Sequence, residues 1–359
     1  MLQTPKSKTG QLAEFLRAKL DAGEWGDTVP PERSLAEDFM VSRTTLRNAL
    51  DLLQSEGVIG PAGSSRHGRP VLKRKRGAAI RGSGELVVVI TQTLHDNSLL
   101  LEHLAIMREL LGRGGVRIEV QEAAHLADMK QPESALARIT SKHARAVWVL
   151  HKMPQAVQLA AQSLGLRCVV YGSTSEGVDL PFVDMDYGAV ARHATGRCIS
   201  KGFSKIAVLV HRTPLAGDAV VVREVTDQLA RAGAPPPTVL RYNFNRSRLI
   251  DGLDQRIVHV SDRPQVLLVV NQHHLLTALS HLLRCGLKIP GDLSLIYLSN
   301  DPVTERLSPL PDRYDLGSLL PRRLAKSAQA MLSGEHPPGC RLLPKMLIGE
   351  SFGLPPALR

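Results

Sequence analysis

The sequence predicts a small helical head followed by a much larger α/β domain built on parallel sheets. Three observations carry this prediction. Beyond residue 85, short apolar runs alternate with helix-length amphipathic stretches, the rhythm of βαβ units whose strands are covered on both faces. Before residue 85, apolar residues recur at helical spacing instead. Between the two regimes, residues 77–84 read GAAIRGSG, a small, glycine-rich stretch suited to a linker. The expected organisation is therefore a head over 1–76, a linker over 77–84 and an α/β region over 85–359.

In the head, Leu12, Phe15, Leu16 and Leu20 form a stripe that predicts a helix over 11–22, ended at Gly23. A second, short helix over 34–39 turns Leu35, Ala36 and Phe39 inward. Met40 and Val41 make a tight turn. Ser42 is a good N-cap for a third helix over 43–54, whose core face is Leu46, Ala49, Leu50 and Leu53. Its other face shows Arg43, Thr44, Thr45, Arg47 and Asn48. Val58-Ile59 and Pro70-Val71-Leu72 read as two strands of a hairpin tipped by residues 63–68. Three helices, a tight turn and a hairpin make a winged helix-turn-helix. A slim helix with short polar or basic residues at its start fits the major groove, where Arg reads guanine edges and Thr meets phosphate or the thymine methyl.

In the α/β region, strands are expected over 86–90, 146–150, 168–171, 206–210, 266–270 and 293–297. Helices are expected over 99–112, 153–164, 187–200, 220–232 and 275–285. No internal repeat interrupts the series.

Composition narrows the function. The net charge is +11 over 359 residues, which favours a polyanionic partner. Residues 1–84 hold 14 Lys/Arg and 9 Asp/Glu, so the basic excess is concentrated in the head. Only 6 Phe, 5 Tyr and 2 Trp are present, too few to suggest a base-stacking single-strand binder. The four cysteines, at 168, 198, 285 and 340, show no CxxC spacing, so neither a zinc ribbon nor a disulfide framework is expected. No apolar run approaches the ~18 residues of a membrane span. The opening MLQTPKSKTG lacks the apolar stretch of a signal peptide. The expectation is a cytoplasmic protein with no membrane partner, no cofactor and no metal ligand. The adjacent His273 and His274 have no metal-binding spacing.

The head resembles the GntR family of bacterial transcription regulators. The likeness runs from about Gln11 to Val71. It includes Gly23-Glu24-Trp25, residues 29–36 (VPPERSLA), residues 41–50 (VSRTTLRNAL), residues 53–58 (LQSEGV) and the tip Arg66-His67-Gly68-Arg69-Pro70. The resemblance implies that Arg33, Ser42, Arg43, Thr44, Thr45 and Arg47 contact double-stranded operator DNA. It places His67 and Gly68 at the minor groove. Pro31 stands where Ser is commoner in the family.

The larger region resembles the effector-binding core of the LacI/GalR family, a two-lobed periplasmic-binding-protein-like fold. Residues 264–297 carry the clearest likeness: a strand, an Asn at its end, a helix, the turn Gly286-Leu287-Lys288-Ile289-Pro290-Gly291-Asp292-Leu293-Ser294, and a strand. Residues 183–189 (VDMDYGA), 199–209 (ISKGFSKIAVL) and 347–353 (LIGESFG) support it. The resemblance implies three crossovers between lobes, expected near 173–183, 299–303 and 317–322. It also implies an inter-lobe cleft at strand ends, where Gln92, His151, Tyr171, Asp186, His211, Asn271, Gln272, Ser299 and Asn300 are the expected effector contacts. Asn271 and Asp186 have an alternative as helix caps. The chain departs from the family pattern at Asn271-Gln272, where Asn-Asp is usual, and at Ser299-Asn300, where Asp-Asp is usual. An arginine usual after Leu209 is replaced by the Val220-Val221-Val222 run, with Arg223 close.

The function expected from these features is a homodimeric, sequence-specific DNA-binding regulator, a repressor, controlled by a small-molecule effector. One alternative keeps the DNA-binding head and makes the larger domain a ligand-blind dimerisation scaffold. Another is an α/β enzyme. The sequence offers no G-x-S-x-G elbow or phosphate-cradling loop for it, and a non-enzyme is expected.

Overall fold

Parallel strands need long crossovers, and the apolar runs of the larger region are spaced to supply them. The computed structural model describes residues 9, 12, 13, 16, 17, 20, 25, 28–38, 41–61, 68–72, 85–92, 94, 98–212, 215–243 and 245–354. The chain divides into two compact units, Met1–Ser83 and Gly84–Arg359.

In the first unit, Leu12, Ala13, Leu16, Arg17 and Leu20 are helical. Helix α1 spans Glu32–Asp38 and helix α2 spans Arg43–Ser55. One face of α2 buries Leu46, Ala49, Leu50 and Leu53 against Leu16, Val29, Leu35 and Ile59. Helix α1 begins two residues earlier than its apolar pattern suggests, because Glu32 is a favourable first-turn acid. The expected hairpin is reduced to a bridge between Ile59 and Val71, and Thr28 bridges Pro70 beside it. Residues 62–67 at its tip lie outside the described residues, as does the 77–84 linker.

The second unit holds two six-stranded sheets. The first contains β1 (Leu86–Thr91), β2 (Arg117–Glu122), β3 (Val147–His151), β4 (Cys168–Tyr171), β5 (Phe182–Met185) and β11 (Cys340–Leu342). Their order is β11-β5-β4-β3-β1-β2, and every pairing is parallel. The second contains β6 (Ile206–His211), β7 (Thr238–Tyr242), β8 (Val266–Val269), β9 (Ser294–Tyr297), β10 (Asp312–Asp315) and β12 (Lys345–Leu347). Their order is β12-β10-β9-β8-β6-β7. Only the β10–β12 pairing is antiparallel.

Helices α3 (Ser98–Gly112), α4 (Glu133–Thr140), α5 (Gln155–Ser163) and α10 (Leu319–Leu332) accompany the first sheet. Helices α6 (Tyr187–Ser200), α7 (Ala216–Arg231), α8 (Arg246–Leu253) and α9 (Gln272–Arg284) accompany the second. Each sheet is buried on both faces, with Val87, Leu104 and Leu324 on one side of the first and Val88, Leu136 and Ala160 on the other.

The chain passes between the sheets after β5, after β10 and after β11. Only the second of these falls near an expected crossover, 317–322. Residues 173–181 simply connect β4 to its neighbour β5, and 299–303 lie between β9 and its neighbour β10. Both stretches are loops within one lobe. Their polar, glycine-bearing composition does not distinguish them from a link between lobes.

Candidate functional site

Helix α2 offers the first candidate surface. Ser42 is its N-cap, with φ −65° and ψ 145°, and its hydroxyl accepts from the Thr45 N–H at 3.1 Å. The Ser42 and Thr45 hydroxyls also meet at 2.8 Å. The cap fixes where the helix begins, and 3.6-residue periodicity then decides what faces out. Ser42, Arg43, Thr44 and Arg47 are exposed, and Thr45 is half-buried. Arg47 keeps 62% of its side chain exposed while its Nε donates to Glu32 at 3.2 Å. Arg33 lies in α1, but its side chain is outside the described residues, and His67 is outside them altogether.

Gly68 has a packing reason to be glycine. A Cβ there would come within 1.6 Å of the Val29 carbonyl oxygen, and the adjacent Val29 N–H donates to Arg69 O at 2.9 Å. Arg69 is counted in the basic excess of the sequence but is 5% exposed. Its guanidinium donates to Gln54 at 2.7 Å, Glu32 at 3.0 Å and Asp51 at 2.7 Å. It therefore clamps the strand after the tip onto α1 and α2.

The second unit contains a cleft between its two sheets that opens to solvent. From the first sheet, the ends of β1, β3, β4 and β5 contribute Gln92, His151, Lys152, Tyr171, Ser173 and Asp184. From the second lobe come Tyr187, His211, Gly217, Asp218, Asn271 and His273. Strand ends converge here because both sheets are parallel and point their carboxyl edges toward the same space.

Five of the nine expected contacts line this cleft: Gln92, His151, Tyr171, His211 and Asn271. Four do not, and each has another role or position. Asp186 caps α6, accepting from the Ala189 N–H at 2.8 Å. Gln272 is the first residue of α9, beside the lining rather than in it. Ser299 accepts the Tyr314 N–H through its carbonyl at 3.2 Å. Asn300 is committed to a network with Asp315 at 3.0 Å, Thr304 at 2.9 Å and Arg313 at 3.1 Å. Arg223 is exposed beside Glu224 and is not a lining residue.

The carboxylates expected of a polar binding site come from positions the sequence reading passed over. Asp184 is buried at the end of β5, accepting from the Ser173 hydroxyl at 2.6 Å and the Met185 N–H at 2.8 Å. Burial pushes its carboxyl up to about 6, against those bonds and the nearby Lys152 charge. Asp218, in the first turn of α7, is likewise raised by burial, opposed chiefly by Lys152 and His211. The two-residue period of a strand could have pointed to Asp184: Val183 and Met185 on one face are buried in apolar cores, which leaves Asp184 on the other face.

Lys152 is the basic side chain among the described lining residues. It has φ 48°, a left-handed backbone that a side-chain-bearing residue adopts at a penalty of about 1–2 kcal/mol. Both of its peptide groups are held: its N–H donates to Tyr171 O at 3.0 Å and its carbonyl accepts from Gln92 at 3.1 Å. Non-glycine residues fixed in this region cluster at functional sites. Beneath it, His151 Nδ1 meets Thr91 Oγ1 at 2.9 Å, and His103 Nδ1 meets the Tyr171 hydroxyl. Burial lowers His103 to about 4 and His151 well below its ordinary value, with the Lys152 charge adding to both. Both rings are therefore neutral at pH 7.

This arrangement defines a class. A capped helix with an exposed polar and basic face belongs to one unit, and a polar cleft between two parallel sheets belongs to the other. The first unit has the form of a helix-turn-helix module, and the second that of a two-lobed, periplasmic-binding-protein-like domain. Residues 8–66 match the family model for bacterial regulatory proteins of the gntR family, and residues 195–351 match that for the periplasmic binding protein-like domain.

Among known proteins, the chain is 39% identical over 61 residues to YdfD, an uncharacterized HTH-type transcriptional regulator of Bacillus subtilis strain 168. That match takes in 16% of this chain and 12% of YdfD, so the chain spans a small fraction of the curated relative it matches. Solved structures resemble the second unit in fold. A LacI family transcriptional regulator from Mycobacterium smegmatis aligns with a TM-score of 0.63 at 19% identity, over 75% of this chain and 99% of that one. The regulator CcpA of Lactococcus lactis aligns with a TM-score of 0.63 at 15% identity, over 75% and 100%. A LacI-type regulator from Alkaliphilus metalliredigens QYMF, complexed with D-xylulofuranose, aligns with a TM-score of 0.63 at 13% identity, over 75% and 99%.

Proposed function

We propose that the protein is a cytoplasmic transcription repressor that binds operator DNA through α2 and is controlled by a small molecule in the inter-lobe cleft. The observation that carries this reading is one chain holding both the exposed Ser42–Arg47 face and an open polar cleft. Arg43 and Arg47 reach base edges or phosphates, while Ser42, Thr44 and Thr45 serve the backbone and thymine methyls. The protein acts as a homodimer, because paired recognition helices must meet half-sites about 34–36 Å apart.

The effector is a polar molecule of sugar size. Its hydroxyl or amine groups donate to Asp184 and Asp218, and an acidic or carbonyl group accepts from Lys152. An open cleft with buried carboxylates favours this reading over a ligand-blind scaffold. Binding rather than catalysis is the proposed role, supported by the regulator domain at residues 8–66.

The test is linkage. A thermal-shift screen of metabolites on the intact protein should give a compound that raises the melting temperature. That compound should change operator affinity, and operator should change its affinity by the same factor. Compounds that bind the cleft without altering operator affinity would reject effector control while leaving the DNA-binding assignment intact.

A further inference from the structure

Away from the cleft, the last turn of α9 brings three unlike donor groups together. His281 and Cys285 are four residues apart on that helix, so they share one face. Asp254 follows α8 and opens a π-type turn, Asp254–Val258, closed by an i→i+5 bond from the His259 N–H to the Asp254 carbonyl at 2.8 Å. Turns of this kind are frequent at functional sites. The His281 ring is buried while Cys285 is exposed. His281 Nε2 lies 2.7 Å from Asp254 Oδ1 and 3.6 Å from Cys285 Sγ, and the three donor atoms lie within 4.8 Å of one another.

We propose that Asp254, His281 and Cys285 form a binding site for a divalent transition-metal ion of the zinc–cobalt class. The separations fit that chemistry. Tetrahedral ligation with metal–nitrogen bonds near 2.0–2.1 Å and metal–sulfur bonds near 2.3 Å sets nitrogen and sulfur about 3.6 Å apart, and nitrogen and oxygen about 3.3 Å apart. The His281–Cys285 separation already matches. Asp254 has to withdraw by about 0.6 Å on that geometry, exchanging its hydrogen bond to the ring for a bond to the ion. One thiolate and one carboxylate neutralise a dication, and the thiolate selects against magnesium and calcium. Three protein ligands leave a fourth position for water.

Arg284 Nη2 lies 3.2 Å from His281 Nδ1. Ligation through Nε2 moves the ring proton to Nδ1, so this exposed arginine swings away on binding. The site joins the turn after α8 to the far end of α9, whose first turn supplies His273 to the cleft. The sequence names no metal ligand here because Asp254 stands 27 residues before His281, outside any ligand-spacing motif.

The experiment is a Co(II) titration of the intact, reduced, metal-stripped protein, read by absorption. One equivalent should produce a thiolate-to-cobalt charge-transfer band in the near ultraviolet with four-coordinate visible bands, and zinc should bleach both. Cys285→Ser, at an exposed position that leaves folding intact by circular dichroism, should abolish the charge-transfer band. It should also weaken binding by at least about tenfold, the floor for losing even an outer-shell partner. Asp254→Asn should keep the band and weaken affinity. Absence of the band in the wild type, or its persistence in Cys285→Ser, overturns the proposal. Either result leaves the DNA and effector readings untouched.

Discussion

The two units hold polar and charged residues in opposite surroundings. In the first, Arg43, Thr44 and Arg47 stand on the water-facing side of α2, whose other side is the core. In the second, His151, Asp184 and Asp218 are each under a tenth exposed, at the ends of elements that form the cleft. Exposed charge meets its partner by displacing counterions, so salt governs it. Buried charge has its protonation set by desolvation, so pH and ligand govern it. On the proposed reading, the first unit meets a polyanion and the second a small molecule that replaces lost water.

The sharpest way to break the comparison is through the scaffold of the first unit. Gly68→Ala drives a Cβ into the Val29 carbonyl, a backbone atom with no rotamer to yield. The expected loss is about 3 kcal/mol or more, at the upper end for overpacking. It should be read as early unfolding of the first unit by limited proteolysis while the second unit stays resistant. Proteolysis identical to wild type would show that the Val29–Arg69 pairing does not hold the strand in place.

Next in size is the cleft cation. Lys152→Met keeps length and removes charge, and should weaken effector binding by about tenfold, the lower range for a hydrogen bond to a charged group. Operator affinity without effector should not change. Isothermal titration gives the first quantity and fluorescence anisotropy the second; unchanged effector affinity would remove Lys152 from the binding set.

The smallest effect concerns Asp184. Its folded pKa, raised to about 6, lies above the unfolded value, so the folded state holds a proton that the unfolded state has released between about pH 4 and 6. Stability from this group is therefore present at low pH and lost as pH rises through 6. His103, lowered to about 4, acts in the opposite direction, its contribution falling as pH drops from its ordinary range toward 4. Asp184→Asn removes the first slope alone. The wild-type minus variant difference in melting temperature should fall from pH 4 to 6 and level off above. A flat difference would show that Asp184 takes up its proton in the fold as it does in the unfolded chain, contradicting the raised value.

Legibility in the sequence follows burial. The strands covered on both faces, such as LVVVIT at 86–91 and CVVY at 168–171, read as apolar runs. The edge strand RIEVQE at 117–122 alternates and is half exposed, and three-residue β11 and β12 are too short to leave a pattern. In α2, the Ser42 cap and one apolar stripe made both its start and its exposed face readable. Cleft residues at the ends of apolar runs, such as His151 and Tyr171, were readable for the same reason. Lys152 was not, since its role depends on a left-handed backbone, nor was Asp184, since the four-residue strand FVDM is too short and mixed to read as an apolar run. The burial of Arg69 was hidden because a basic residue beside a glycine-rich tip reads as surface.

The central claim is that the exposed face of α2 recognises duplex DNA. The most direct measurement is selection of duplexes from a random pool by the intact protein, followed by anisotropy titration of the enriched sequence across salt concentrations. The account predicts a two-fold symmetric motif and affinity falling steeply with salt. It also predicts a loss of about 100-fold in Arg43→Ala plus Arg47→Ala, near 1.4 kcal/mol for each contact. No enriched motif, or a double variant that binds as the wild type does, would contradict it.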